Sequence, residues 1–119
     1  MGGIYLDACS IIYLIEAAQP FHGKVVAALN AFRSEVGLQV VTSRLSMLEC
    51  RTRPVRDHDT SLLAAYDAFF SADRLALADI DARVIEVATQ LRATYRFRTP
   101  DAIHLATASE VIIRPHVSE

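Results

Sequence analysis

Three short apolar segments, each followed by a stretch with helical periodicity, constrain the fold of this chain more than any other feature. The segments are IYL at 4–6, LQVVTS at 38–43 and RLALAD at 74–79. They are rich in residues that strands favour. Strands that alternate with helices form parallel sheets, because a parallel connection needs a long crossover. The sequence therefore predicts an α/β fold with a parallel sheet covered by helices.

Helices are predicted between and after these strands from apolar residues that recur every three or four positions. A capping residue, a proline and an acid mark the start of the last one at Thr99, Pro100 and Asp101. The segment Arg51–Asp59, which contains Pro54, is interpreted as a connection inside one domain. The predicted helices are Ser10–Ala18, Phe21–Val36 (ended by Gly37), a segment after Ser43 that carries Leu45, Leu48 and Glu49, Ser61–Phe70, a stripe of Ile80, Val84, Val87, Leu91 and Tyr95, and the segment from Thr99.

Size and composition predict one cytoplasmic domain that spans residues 1–119. The chain has 119 residues, of which 52% are hydrophobic, enough to fill a single core. The net charge of -2 argues neither for nor against a nucleic-acid partner. Cys9 and Cys50 are interpreted as reduced thiols of a cytosolic protein, and no apolar run is long enough to span a membrane.

Three acidic residues stand where the chemistry of parallel sheets collects, at the carboxyl ends of strands. Asp7 ends the first apolar run, Glu49 lies in the helix after the second strand, and Asp101 starts the last helix. Carboxylates that share one crevice repel each other, and burial strengthens the repulsion, so we expect a cation between them. Oxygen ligands suit Mg²⁺ or Mn²⁺, which can activate water for attack on a phosphodiester.

Simpler interpretations of these residues remain open from spacing alone. Asp101 fits the acid of a helix start, and Glu49 fits a solvated helix residue. Asp7 is harder to explain in this way, because acids are depleted from strands. His104 lies three residues after Asp101, near the same helix face, and either touches the site or packs in the core.

At these residues the sequence resembles a known family. The segments IYLDACSIIYLIE, SRLSMLECR and FRTPDAIHLATA are similar to three successive signatures of the PIN-domain ribonucleases, in the same order and spacing. The similarity is greatest to the VapC-type toxins of bacterial toxin–antitoxin pairs, and it runs from about residue 3 to residue 109.

The resemblance implies a three-layer α/β/α fold with a short parallel sheet, and a Mg²⁺- or Mn²⁺-dependent endoribonuclease that cleaves RNA with a metal-activated water. It also implies a homodimer and a cognate antitoxin that occupies the site. Matched position by position, Asp7, Glu49 and Asp101 fall on the family's catalytic, metal-binding acids. Ser10 falls where the family often has a supporting hydroxyl.

The end of the chain departs from the family pattern, which usually adds a glycine turn, a further strand and a fourth acid. After Asp101 the sequence reads AIHLATASEVIIRPHVSE, so we expect the last strand to be missing or rudimentary, with Val111–Ile113 as the candidate. Glu110 is a poor substitute acid, because nine helical residues place it on the opposite face and about 13 Å along the axis. Nuclease activity is therefore predicted to be weak. The alternative is a catalytically impaired PIN domain that binds protein or RNA.

Other enzyme classes fit the sequence less well. The dehalogenase-like phosphatases place a second acid two residues after the nucleophilic aspartate, where this chain has Cys9. A receiver domain needs a lysine late in the chain, and the single lysine is Lys24. A dinucleotide-binding fold would carry Gly-x-Gly-x-x-Gly, which the sequence lacks.

Overall fold

The computed structural model describes residues 3–33 and 39–113. In these ranges the chain alternates single strands with pairs of helices. The elements are β1 (Gly3–Tyr5), α1 (Ala8–Ile15), α2 (Phe21–Arg33), β2 (Gln39–Ser43), α3 (Arg44–Arg56), α4 (Thr60–Phe70), β3 (Leu75–Ala78), α5 (Ala82–Tyr95) and α6 (Thr99–Ile113).

The described strands form one parallel sheet in the order β1-β2-β3. Tyr5 pairs with Val41 and Ser43 pairs with Ala78, so β2 and β3 end at the same level and β1 ends two residues earlier. The predicted α/β fold with a short parallel sheet is confirmed. Since all strands run the same way, the loops that follow them open at a single edge, where Asp7 lies.

Alternation along the strands divides their side chains between two cores. Ile4, Leu6 and Val40 pack in the larger core with α1 to α4, around the fully buried Ile11 and Tyr66. The opposite face of the sheet carries Tyr5, Val41, Ala76 and Ala78. These residues pack with Val111 of α6. The sheet therefore lies between two helical layers, as the resemblance implied.

The layer of α5 and α6 is held together by a core of small residues. Val84 and Ala88 of α5 meet Ala102 and Ala106 of α6, and all four are at most 6% exposed. Alanines allow the two helix backbones to approach closely, so α6 is held firmly against α5. The start of α6, with Asp101, is thereby fixed relative to the sheet edge.

One sequence-based expectation is wrong. The segment Arg51–Asp59 is a connection only at its end, because α3 continues through a buried Pro54 to Arg56. The proline removes one backbone donor, and its side chain is fully buried. Val111–Ile113, the candidate for a rudimentary last strand, forms the last turn of α6, so within the described residues that strand is missing. Residues 34–38, where an extended α2 and its Gly37 stop were predicted, lie outside the described residues.

Within residues 3–33 and 39–113, no helix has the length and hydropathy needed to cross a bilayer.

Candidate metal-binding pocket

An open pocket of about 320 Å³ lies where the carboxyl end of β1 meets the first half of α6. Two carboxylic acids face it from opposite ends of the chain, Asp7 and Asp101. The other lining residues are Tyr5, Ser10, His104, Leu105 and Ala108. The pocket therefore combines anionic, hydroxyl and imidazole groups that could hold a cation.

Asp7 is fixed by its role as the N-cap of α1. Its carboxylate accepts a hydrogen bond of 2.9 Å from the backbone N–H of Ser10. The preceding residue is also anchored, because the Leu6 N–H donates to the carbonyl of Val41 at 2.9 Å. The buried hydroxyl of Thr42 donates to the Leu6 carbonyl at 2.5 Å. The backbone on both sides of Asp7 is therefore held, and the carboxylate faces the pocket.

Asp101 lies in the first turn of α6, and its side chain is half exposed. The positive end of the helix dipole favours an acid at this position. Its carboxylate forms an ion pair of 3.1 Å with Arg98, which lies just before the helix. A cationic side chain thus already stands at the rim of the pocket.

Glu49 reaches the edge of the pocket through His104. The Nε2 atom of His104 lies 2.6 Å from Oε1 of Glu49, and its Nδ1 lies 2.6 Å from the hydroxyl of Tyr5. His104 is a half-buried bridge and not an isolated packing histidine. Burial raises the pKa of Tyr5, and the charge of Asp7 adds to that effect. The phenol therefore stays protonated and can donate to the ring.

The three predicted acids all affect the thiol of Cys9. Burial and then the charges of Asp7, Glu49 and Asp101 all raise the pKa of this thiol, and Arg98 opposes them. The thiol itself is exposed. Carboxylates from β1–α1, α3 and α6 therefore act on the same point of the surface.

The residues fit a hydrated cation better than a site closed by protein ligands. Among the described residues, no group of three or more His, Cys, Asp and Glu side chains could hold a metal as they stand. Each predicted acid also has a partner of its own, which relieves the repulsion expected from the sequence. Mg²⁺ usually takes one or two carboxylates and several waters, and two carboxylates, Asp7 and Asp101, line this pocket.

Glu110 faces away from this pocket. It is 2% exposed, and its carboxylate lies 3.4 Å from Arg83 on α5. The placement agrees with the helical geometry expected from the sequence, which put Glu110 opposite Asp101. Glu110 therefore contributes to the α5–α6 contact.

Sequence analysis missed the part of Tyr5 in the pocket. A signal for it existed, because side chains alternate along a strand, so that Tyr5 and Asp7 project to one side while Ile4 and Leu6 project to the other. The alternation therefore places the hydroxyl of Tyr5 on the side of β1 that faces the pocket.

The arginines near Glu49 are paired within the chain. All four bridge to acids of the same molecule, so none is an uncompensated positive charge. The pairs are Arg44–Asp79, Arg51–Asp67, Arg53–Glu16 and Arg56–Asp57.

Comparison with known proteins gives a family-model match and similarity to solved structures. The family model described as "PIN domain" matches residues 4–112. The fold is similar to the crystal structure of VapBC2 from Rickettsia felis bound to a DNA fragment from their promoter, with a TM-score of 0.66. Sequence identity there is 14%, over 91% of this chain and 80% of that chain, so the likeness shows a shared fold. No curated protein matches the sequence.

Proposed function

The chain belongs to the PIN domain family, and from that premise we propose that it is a divalent-metal-dependent endoribonuclease of the VapC toxin type. The observation that carries the proposal is the convergence of Asp7 and Asp101 on one pocket, although they lie at opposite ends of the sequence. The structural likeness to VapBC2 supports the fold that the proposal requires.

In this proposal Asp7 and Asp101 hold the hydrated cation, and Glu49 completes its surroundings from the edge of the pocket. A bound Mg²⁺ or Mn²⁺ would supply an activated water and neutralise charge on the departing oxygen. The chain's own residues fix the carboxylates, through the N-cap of α1 for Asp7 and the first turn of α6 for Asp101. The RNA substrate, a cognate antitoxin and a homodimer belong to the same proposal.

Cleavage of RNA by the purified chain with Mg²⁺ or Mn²⁺ tests the proposal, with Asp7→Asn as the decisive variant. Asparagine caps helices about as well as aspartate, so the variant removes the charge and keeps α1. Asp59→Asn is the matched control, because Asp59 caps α4 in the same way, with a bond of 3.1 Å from Leu62 N–H. We expect cleavage by the wild type and the control but not by Asp7→Asn. Equal cleavage by all three proteins would refute the proposal.

A catalytically impaired PIN domain that binds protein or RNA is the second candidate. The inward placement of Glu110, which pairs with Arg83, favours it, since this acid adds no charge to the pocket. Titration with Mn²⁺ separates the two candidates. A binding module would show no metal affinity that depends on Asp7, whereas a nuclease would lose its affinity in Asp7→Asn.

A further inference from the structure

We propose that His104 is a positioning residue which, held by Tyr5, fixes the carboxylate of Glu49 at the edge of the pocket. The inference rests on the proposed function and deepens it, because it identifies how the least direct of the three acids is presented to a cation. It is carried by two hydrogen bonds, each 2.6 Å long, on the two nitrogens of one imidazole.

The bridge joins three elements that are far apart in sequence. Tyr5 belongs to β1 and Glu49 to α3, while His104 belongs to α6, 99 residues after Tyr5 and 55 residues after Glu49. The rings of Tyr5 and His104 also meet edge to face, with centroids 5.9 Å apart. The imidazole is 12% exposed, so packing restricts its rotation as well as the hydrogen bonds do.

The donors and acceptors of the bridge are mutually consistent. A carboxylate only accepts hydrogen bonds, so Nε2–H of His104 donates to Oε1 of Glu49. In the neutral tautomer Nδ1 then accepts, and the protonated phenol of Tyr5 supplies the donor. One oxygen of Glu49 is thereby engaged, and in this proposal the other contacts the cation or one of its waters. Outer partners of this kind orient the groups that bind a metal, and their removal typically weakens binding about 10–100-fold.

Mn²⁺ affinity, followed by electron paramagnetic resonance, tests the proposal in His104→Leu and His104→Gln. Leucine removes both hydrogen bonds, so we expect binding about ten-fold weaker or more. Glutamine keeps one N–H donor for Glu49 and should restore most of the affinity. His22→Leu is the control, since His22 bonds only a backbone carbonyl, that of Tyr13, among the described contacts. Wild-type affinity in His104→Leu would overturn the proposal and leave the nuclease assignment intact.

A double-mutant cycle distinguishes positioning from a general loss of structure. If His104 acts through Glu49, adding His104→Leu to Glu49→Gln causes no further loss of Mn²⁺ affinity. A further loss of similar size would mean that the histidine acts elsewhere, and the proposal would be wrong.

The metal-free protein gives an independent readout through ¹⁵N NMR of the imidazole. We expect a protonated Nε2 and an unprotonated, hydrogen-bonded Nδ1, with the Nε2 signal shifted by Glu49→Gln and the Nδ1 signal shifted by Tyr5→Phe. If neither signal moves, the bridge does not form and the proposal falls. If both move while the wild type fails to bind Mn²⁺, the bridge stands and the nuclease assignment fails.

Discussion

Arg98 and Asp101 form an ion pair of 3.1 Å at the rim of the pocket, so one of the two carboxylates that face it is already bound to a cationic group. The guanidinium competes with any metal for Asp101. Both side chains are largely exposed, at 81% and 51%, so solvent weakens the competition.

Arg98→Ala should therefore strengthen Mn²⁺ binding, but only modestly. Exposed ion pairs contribute about 0.2–1 kcal/mol, which corresponds to a gain of no more than about five-fold in affinity. Isothermal titration at low salt measures the change. Arg56→Ala is the matched control, because Arg56 forms an equally long exposed pair with Asp57. A weaker affinity in Arg98→Ala would mean that the arginine helps the cation to bind.

Asp7 has a structural role that can be separated from its charge. Because it caps α1, Asp7→Ala should lower the free energy of unfolding of the metal-free protein by about 1 kcal/mol, and Asp7→Asn should lower it by much less. Urea denaturation followed by circular dichroism measures both. Asp59→Ala, at the cap of α4, should show the same loss and unchanged Mn²⁺ affinity. Equal losses in the alanine and asparagine variants of Asp7 would contradict the capping role.

Cys9 reports the charge of the pocket. Its pKa is raised by burial and by the three carboxylates, so less thiolate is present at pH 8.5 than in an unstructured peptide, and alkylation should be slow. Asp101→Asn should speed the reaction, and Arg98→Ala should slow it. Iodoacetamide labelling with peptide mapping measures Cys9 apart from the buried Cys50. An unchanged alkylation rate in Asp101→Asn would mean that this carboxylate does not affect the pKa of Cys9.

Alkaline pH should destabilise the fold. Burial raises the pKa of Cys50 to about 12 from its ordinary 9.0, and burial also raises the pKa of Tyr5 and of Tyr66 above the ordinary 10.0. The unfolded chain loses these protons first, so the stability they provide is complete below pH 9 and is lost as the pH rises. Each group then contributes a slope of about 1.4 kcal/mol per pH unit.

Urea midpoints at pH 8 and pH 10.5 measure this loss, with Tyr66→Phe as the diagnostic variant. The phenol of Tyr66, a residue of the larger core, donates to the partly exposed carboxylate of Glu16 at 2.5 Å, so its removal should cost about 1.5 kcal/mol at pH 8. Tyr66→Phe should also reduce the change in the urea midpoint between pH 8 and pH 10.5. An unchanged slope would show that Tyr66 does not resist ionisation in the folded state.

The strands were predictable because strands of a buried parallel sheet are mostly apolar. The run RLALAD at 74–79 contains β3 (Leu75–Ala78), and IYL at 4–6 overlaps β1 with a shift of one residue. The ends of the helices were harder to predict. The start of α1 lies at Ala8, two residues before the prediction, because Asp7 serves as the cap. Pro54 similarly suggested a break that tertiary packing overrides.

The pocket was only partly predictable for a different reason. Asp7 and Asp101 each carry a local signal, one at a strand end and the other at a helix start. The link from Glu49 through His104 to Tyr5 has no local signal, because it depends on how α6 packs against the sheet and α3. The sequence left His104 open between packing and contact with the site, and the fold decides for contact.

The face of α6 that lines the pocket contains a neutral position. Ala108 lies on it, seven residues after Asp101, or nearly two turns. Glu110, two residues later, is committed to Arg83 and cannot be redirected without opening the α5–α6 seam. Ala108 forms no ion pair, and every alanine codon lies one nucleotide from a codon for aspartate or glutamate. A single nucleotide substitution at Ala108 could thus add a carboxylate to the pocket without changing any other residue.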